Sequence, residues 1–191
     1  QNCLIKGNSA WSGGAGVSAQ WDTGLLISNC TIVENTASDP NDSSAGYGGG
    51  LLCTHSSKTI LTDSILWGNQ GRFGNQIAIG SKDDPRYLPR PAVLTVKFSD
   101  VQGGRSGVHI EPGRTLNWLE GNIDADPLFV ASYYLSQTAA GQNQTSPAVD
   151  AGSAKANQVG MAGYTTRTDN RGDSGQVDMG FHYPGPGRYN L

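Results

Sequence analysis

The sequence predicts an all-β chain, a parallel β-helix (solenoid) closed by a C-terminal capping and wrapping segment. Three observations point there. First, the chain repeats itself: Gly14–Ile32 (GAGVSAQWDTGLLISNCTI) lies on Gly48–Leu66 (GGGLLCTHSSKTILTDSIL) without a gap. Gly14 falls on Gly48, Gly16 on Gly50, Val17 on Leu51, Leu26 on Ile60, Ile27 on Leu61 and Ile32 on Leu66. Second, an asparagine recurs at the end of each copy, as Asn8, Asn35 and Asn69, at a spacing of about 27 to 34 residues, in the range of repeat architectures. Third, the 27 glycines, with abundant Asn, Ser and Thr, favour short strands and tight turns over helix.

The bulk composition narrows the function classes. A net charge of −3 and the lack of a Lys/Arg cluster give no nucleic-acid footprint. No apolar run approaches the roughly 18 residues of a membrane helix, so no membrane span is expected. Cys3 and Cys30 occupy one repeat position, on strands spaced roughly 4.8 Å apart. That geometry predicts a ladder of buried thiols, with a Cys3–Cys30 disulfide as the alternative, while Cys53 falls on Ala19 as a small inward residue.

Along the chain, residues 1–104 read as β-helix repeats. Strands are expected at 17–20, at 25–32 as one segment, and again within 48–66. Ala37–Gly46 (ASDPNDSSAG) is a polar insertion with turn chemistry. Ser81–Pro91 (SKDDPRYLPRP) is a charged loop, and Ala92–Val101 supplies the main strand of a fourth repeat, with Ser99-Asp100-Val101 placed on Asp63-Ser64-Ile65. Residues 105–183 form the final repeat, the cap and the outer wrap, with Leu128, Phe129, Val149, Met179 and Phe181 as covering apolar residues and Asp126, Asp150 and Asp178 as turn caps. Residues 184–191 read as a tail. The recurring asparagines Asn8, Asn35 and Asn69 predict a structural ladder, each amide serving the turn backbone and the next asparagine.

The segments SILWGN (64–69), SDVQGG (99–104), GNIDADPLFV (121–130), YYLSQ (133–137), SPAVDAGS (146–153) and DNRGDSGQVDMGFHY (169–183) follow one another in a familiar order. Together they resemble the C-terminal portion of right-handed parallel β-helix surface proteins with a choice-of-anchor Q type region. That resemblance implies an extracellular or cell-surface protein from a group of unassigned activity. The last motif of that group usually ends in an acidic residue after the aromatic, and His182-Tyr183-Pro184 stands here instead.

Three chemistries compete for a site. Calcium is the one cofactor candidate, through Asp169, Asp173 and Asp178, with Asp83, Asp84, Asp39 and Asp42 behind them, although Asp is also a default turn former. A polysaccharide lyase or glycoside hydrolase would need carboxylates and a base on one β-helix face, for which Asp63, Asp100 and Lys97 are the catalytic candidates, with Arg105 beside them. Glycan binding would use stacked aromatics: Trp21 aligns with His55, and Trp67 with Val33 and Lys6, so Trp21, Trp67 and His55 are its candidates, while Trp11 and Trp118 fall in loops. His55, His109 and His182 show no metal-ligand spacing and read as surface residues. The expected role is structural, adhesive or in assembly, with polysaccharide or further copies of the chain, end to end, as partners.

Overall fold

The computed structural model describes residues 1–81 and 91–185, and these are predominantly β. Asp83 and Asp84, most of the 81–91 loop and most of the 184–191 tail lie outside the described residues. The first repeat holds β1 (Leu4–Lys6), β2 (Ser9–Ala10), β3 (Val17–Ala19) and β4 (Gly24–Ser28). The second holds β5 (Thr31–Val33), β6 (Thr36–Ala37), β7 (Leu51–Cys53) and β8 (Lys58–Thr62). The third holds β9 (Ile65–Trp67), β10 (Gln70–Gly71), β11 (Ile77–Ile79) and β12 (Val93–Lys97), and a shorter fourth holds β13 (Asp100–Val101), β14 (His109–Ile110) and β15 (Thr115–Trp118). The strands pair in parallel into four short, separate sheets, in the orders β1-β5-β9-β13, β2-β6-β10, β3-β7-β11-β14 and β4-β8-β12-β15. Each strand therefore pairs with its counterpart one repeat away, not with its neighbour in sequence.

The register is the one the repeat aligns: Val17 pairs with Leu51, Leu26 with Ile60, Ile27 with Leu61 and Ile32 with Leu66. Alternate side chains point inward and pack like on like. Ile32, Leu66 and Val101 form one buried column, Leu51 and Ile77 a second, and Leu61, Leu94 and Val96 belong to the same core. The opposite faces carry Leu26 and Ile60 on one sheet and Leu52 and Ala78 on another.

Corners between sheets strip backbone groups of their ladder partners, and two side-chain columns replace them. In the first, Asn8 Nδ2 donates to Asn35 Oδ1 at 2.9 Å, and Asn35 Nδ2 donates to Asn69 Oδ1 at 2.9 Å. The same oxygens accept the main-chain N–H of Asn8 and of Asn35, each at 3.0 Å. Asn35 and Asn69 also donate to the carbonyls of Ile5 and Ile32, so each amide closes the corner of the repeat before its own. Gly16 and Gly50 sit against this column; a Cβ on Gly50 would lie 2.6 Å from the Gln76 carbonyl, closer than any side chain tolerates. In the second column, Ser64 Oγ accepts from the Cys30 N–H at 3.1 Å, Ser99 Oγ accepts from the Ser64 N–H at 3.3 Å, and Asn122 Oδ1 accepts from the Ser99 N–H at 3.1 Å. Cys3, Cys30, Ser64 and Ser99 each donate to the carbonyl two residues back.

Four expectations need correction. The segment 25–32 is two strands, β4 and β5, because the chain turns at Asn29 with φ 50°, as it does at Asp63 in the next repeat with φ 50°. Cys3 is exposed, since it leads into β1, the outer strand of its sheet, while Cys30 is buried; both are free thiols. Trp118 belongs to β15 rather than a loop. Asp100 pairs with Ile65, and Ser99 is the partner of Ser64, so Asp63 matches Phe98. A slip of one residue reverses the face of every side chain, and Asp63 and Asp100 do not share a position.

The C-terminal segment runs back across the β1-β5-β9-β13 sheet. It includes two antiparallel pairs, β16 (Phe129–Val130) with β17 (Tyr134–Leu135), and β18 (Tyr164–Thr165) with β19 (Tyr183–Pro184), so Pro184 is in a strand. Leu135, Ala148 and Met179 pack with Ile65 in a second apolar cluster that also takes Trp67, Phe98, Phe129 and Val149. Its end is tied to three repeats in turn. Gly180 N–H donates to the Asp63 carbonyl, Phe181 N–H donates to Thr31 Oγ1, and Asn2 and His182 exchange two hydrogen bonds at 2.8 and 2.9 Å.

Replacing Asn69 by Ala removes the acceptor of two Asn35 donors and the amide that donates to the Gln76 side-chain oxygen. Its expected cost is about 3 kcal/mol, at roughly 1 kcal/mol or more for each group stranded in the interior. Asn8→Ala, at the exposed end of the column, is expected to cost under about 1 kcal/mol. Urea denaturation of the two variants measures the difference.

Candidate functional site

Two grooves and one buried polar cluster hold the chemistry-bearing residues. The larger groove, about 650 Å³, lies over the outer face of the β3-β7-β11-β14 sheet, with Leu52 in its floor. Repetition builds its sides. Trp21 and His55 occupy equivalent positions at the end of that sheet, both with positive φ, and their rings stack at 4.3 Å. At the start of the sheet, Tyr47 and Phe73 are paired in parallel, with rings 4.5 Å apart, and His109 meets both. The polar insertion of the second repeat adds Asp39, Asp42 and Ser44 to the wall, and Trp11 stands at the rim, 75% exposed. Thr54 lines the groove with a buried hydroxyl that has no partner among the described residues. Trp67 takes no part: it packs beneath the C-terminal segment. Sequence reasoning missed Trp11, Tyr47 and Thr54 as lining residues, because the insertion that brings them together has no counterpart in the first repeat.

The smaller groove, about 360 Å³, lies on the outer face of the β4-β8-β12-β15 sheet, where the C-terminal segment meets it. Leu26, Ile60 and Lys97 line it, with Asn29, Asp63, Ser153 and Val159. Asp63 is held there as an acceptor: the N–H and hydroxyl of Ser153 donate to its two oxygens at 2.5 and 2.9 Å, and the Thr62 hydroxyl donates to Oδ2 at 3.0 Å. The structure thus brings Asp63 and Lys97 to one groove and leaves Asp100 outside it. Asp100 is fully buried, with Oδ1 accepting from the Ala125 N–H at 3.2 Å and Oδ2 without a partner among the described residues. Burial pushes its carboxyl up to about 7, with the nearby Asp124 and Asp126 charges adding to the rise.

Asp173, Asp178 and His182 come together within the C-terminal segment, their ligating atoms all within 4.8 Å of one another. His182 is fully buried, not a surface residue, because its main chain is tied to Asn2 at the far end of the sequence. Its Nε2 lies 2.8 Å from Asp173 Oδ2 and its Nδ1 lies 3.0 Å from the Gly180 carbonyl. Asp178 accepts from the Asp150 N–H, the Thr166 hydroxyl and the Gln137 amide. Burial, and the Asp173 charge after it, push the Asp178 carboxyl up to about 6. Asp169 stands apart: Arg167 holds it at 2.6 Å and pulls its carboxyl down to about 2. The set Asp173, Asp178 and His182 could hold a metal ion by position, but a ring nitrogen is a poor match for calcium, which takes six or more oxygens. The oxygens and ring nitrogens already serve turn amides, hydroxyls and one another, as a hydrogen-bonded latch would. His109 is half-buried and lies 3.0 Å from Glu111.

No helix among the described residues is long and apolar enough to cross a membrane. Compared with family models, curated proteins and solved structures, the chain matches none.

The Asp100 carboxyl titrates higher in the folded chain than its ordinary value of 3.8. Its contribution to stability is therefore full below about pH 4 and lost as pH rises through about 7. Asp100→Asn keeps the acceptor for Ala125 and removes the ionisation. It is expected to match the wild type at pH 4 and to exceed it at pH 8 by up to about 4 kcal/mol, from about 1.4 kcal/mol per pH unit. Denaturant titrations at the two pH values check this.

Proposed function

We propose that this chain is a segment of a right-handed parallel β-helix from an extracellular or cell-surface protein, and that it contributes structure and adhesion by holding a glycan in the groove above Leu52. The observation that carries the glycan reading is His55 and Tyr47 in the lining of the groove, each stacked on a second ring, Trp21 and Phe73, with Trp11 at the rim. Aromatic faces take the C–H faces of sugars, and the carboxylate of Asp39 and the hydroxyl of Thr54 are suited to sugar hydroxyls. The cyclic order in which the chain visits its four parallel sheets supports the β-helix, and the ordered segments between 64 and 183 support the choice-of-anchor Q resemblance. Strands β1 to β4 each lie at an outer edge of their sheet, the surface on which further repeats or another copy of the chain would add end to end.

The enzymatic alternative, a lyase or hydrolase, has Asp63 and Lys97 in the smaller groove in its favour. It needs a second acid or base there, and Asp100 is not available to serve as one.

Glycan-array screening, followed by titration calorimetry on the glycans retained, tests the reading. Trp11→Ala is expected to weaken binding at least about tenfold, the loss of one stacked ring being worth about 1.4 kcal/mol, while leaving the unfolding midpoint unchanged because Trp11 is exposed. Undiminished affinity in that variant, or an array with no retained glycan, would contradict it.

A further inference from the structure

The smaller groove contains a polar group that the fold leaves unserved. Asn29 turns the corner between β4 and β5, and its equivalents in the neighbouring repeats are Asn2 and Asp63. Both equivalents are tied to the C-terminal segment, Asn2 through the His182 main chain and Asp63 through Ser153. Asn29 lies between them. It is fully buried, it lines the groove, and neither its Nδ2 nor its Oδ1 has a partner among the described residues. A buried carboxamide with both ends unpaired is destabilising. Nothing in the backbone demands it either, because glycine would accept the left-handed φ of 50° at least as readily.

We propose that this groove is a binding site for a neutral, polyhydroxylated ligand of one or two sugar units, with Asn29 as its polar anchor. Neighbouring hydroxyls of such a ligand match the carboxamide: one donates to Oδ1 and the other accepts from Nδ2. Asn29 lies under the groove surface, so the group that reaches it is small, a hydroxyl rather than a ring. Leu26 and Ile60, paired across β4 and β8, are 59% and 42% exposed and form an apolar strip for the C–H face of a sugar. Lys97 and Asp63 bring one charge of each sign to the lining, which favours a neutral ligand over an acid. A volume of about 360 Å³ falls within the range of small-ligand sites. This site is separate from the aromatic groove and does not depend on it.

The test is an NMR titration of the chain with methyl α-D-glucopyranoside, D-galactose and sorbitol, with D-galacturonic acid as the charged comparator. The expected result is saturable shifts of the Asn29 side-chain amide and of Leu26 and Ile60 with at least one neutral probe, and weaker shifts with the acid. Asn29→Gly is expected to weaken that binding at least tenfold with an unchanged or higher denaturation midpoint. Trp11→Ala is expected to leave it intact, which separates this site from the larger groove. The proposal is overturned by any of four results: no saturable shift at these residues with any neutral probe, tighter binding of the acid, undiminished binding by Asn29→Gly, or a clear loss of stability in that variant.

Discussion

Where a strand ends and the chain turns into the next sheet, its amide and carbonyl groups leave one ladder before entering another. In a chain built of strands two to five residues long, such corners are almost as numerous as strands. Leaving them unpaired in the interior would cost more than a marginally stable domain can bear. The column Asn8–Asn35–Asn69 answers that constraint with one side chain per repeat, Asn35 and Asn69 each serving the backbone of the repeat before. The Cys30–Ser64–Ser99 column does the same at the preceding corner with smaller groups. Because each member bonds its counterpart one repeat away, the columns fix register as well as satisfying the backbone, and the apolar columns of the core follow from that register.

The same regularity determines where a ligand can sit. Matching side chains fill the core, and the two grooves lie where the repeat is interrupted. The polar insertion after β6 raises one wall above the outer face of β7, and the C-terminal segment raises another beside β4 and β8. Repetition then multiplies whatever stands at the groove edge: an aromatic in one repeat meets an aromatic in the next, as Trp21 meets His55 and Tyr47 meets Phe73. The C-terminal segment has a second role, since its bonds to Asp63, Thr31 and Asn2 tie three successive repeats together from outside.

Residues that repeat in kind were legible in the sequence. The Gly14/Gly48 alignment gave the register of β3, β4 and β5 on their partners, and Asn8, Asn35 and Asn69 marked their corner. Residues that repeat only in role were not. Thiol and hydroxyl perform one task at Cys30 and Ser64, and identity alone does not connect them. The fourth repeat was misplaced by one residue: laying Ser99 on Asp63 implies a step of 36, whereas Ser99 is the partner of Ser64 at 35. That slip put Asp100 at the position next to Asp63, and the structure places it opposite Ile65, one position further on. The burial of His182 was hidden for a different reason: its partner Asn2 is 180 residues away, and no local pattern announces such a contact. The grooves were hidden likewise, since each depends on an element outside the repeat.

The stacking of asparagine on asparagine is the part of this account from which the rest follows, and it can be observed directly. A ¹⁵N-edited NOESY spectrum is predicted to show cross-peaks between the side-chain amide protons of Asn35 and those of Asn8 and Asn69, with slow solvent exchange at Asn35 and Asn69. Rapidly exchanging amides without those cross-peaks, or Hα–Hα contacts marking antiparallel pairing between residues 31–33 and 65–67, would contradict it.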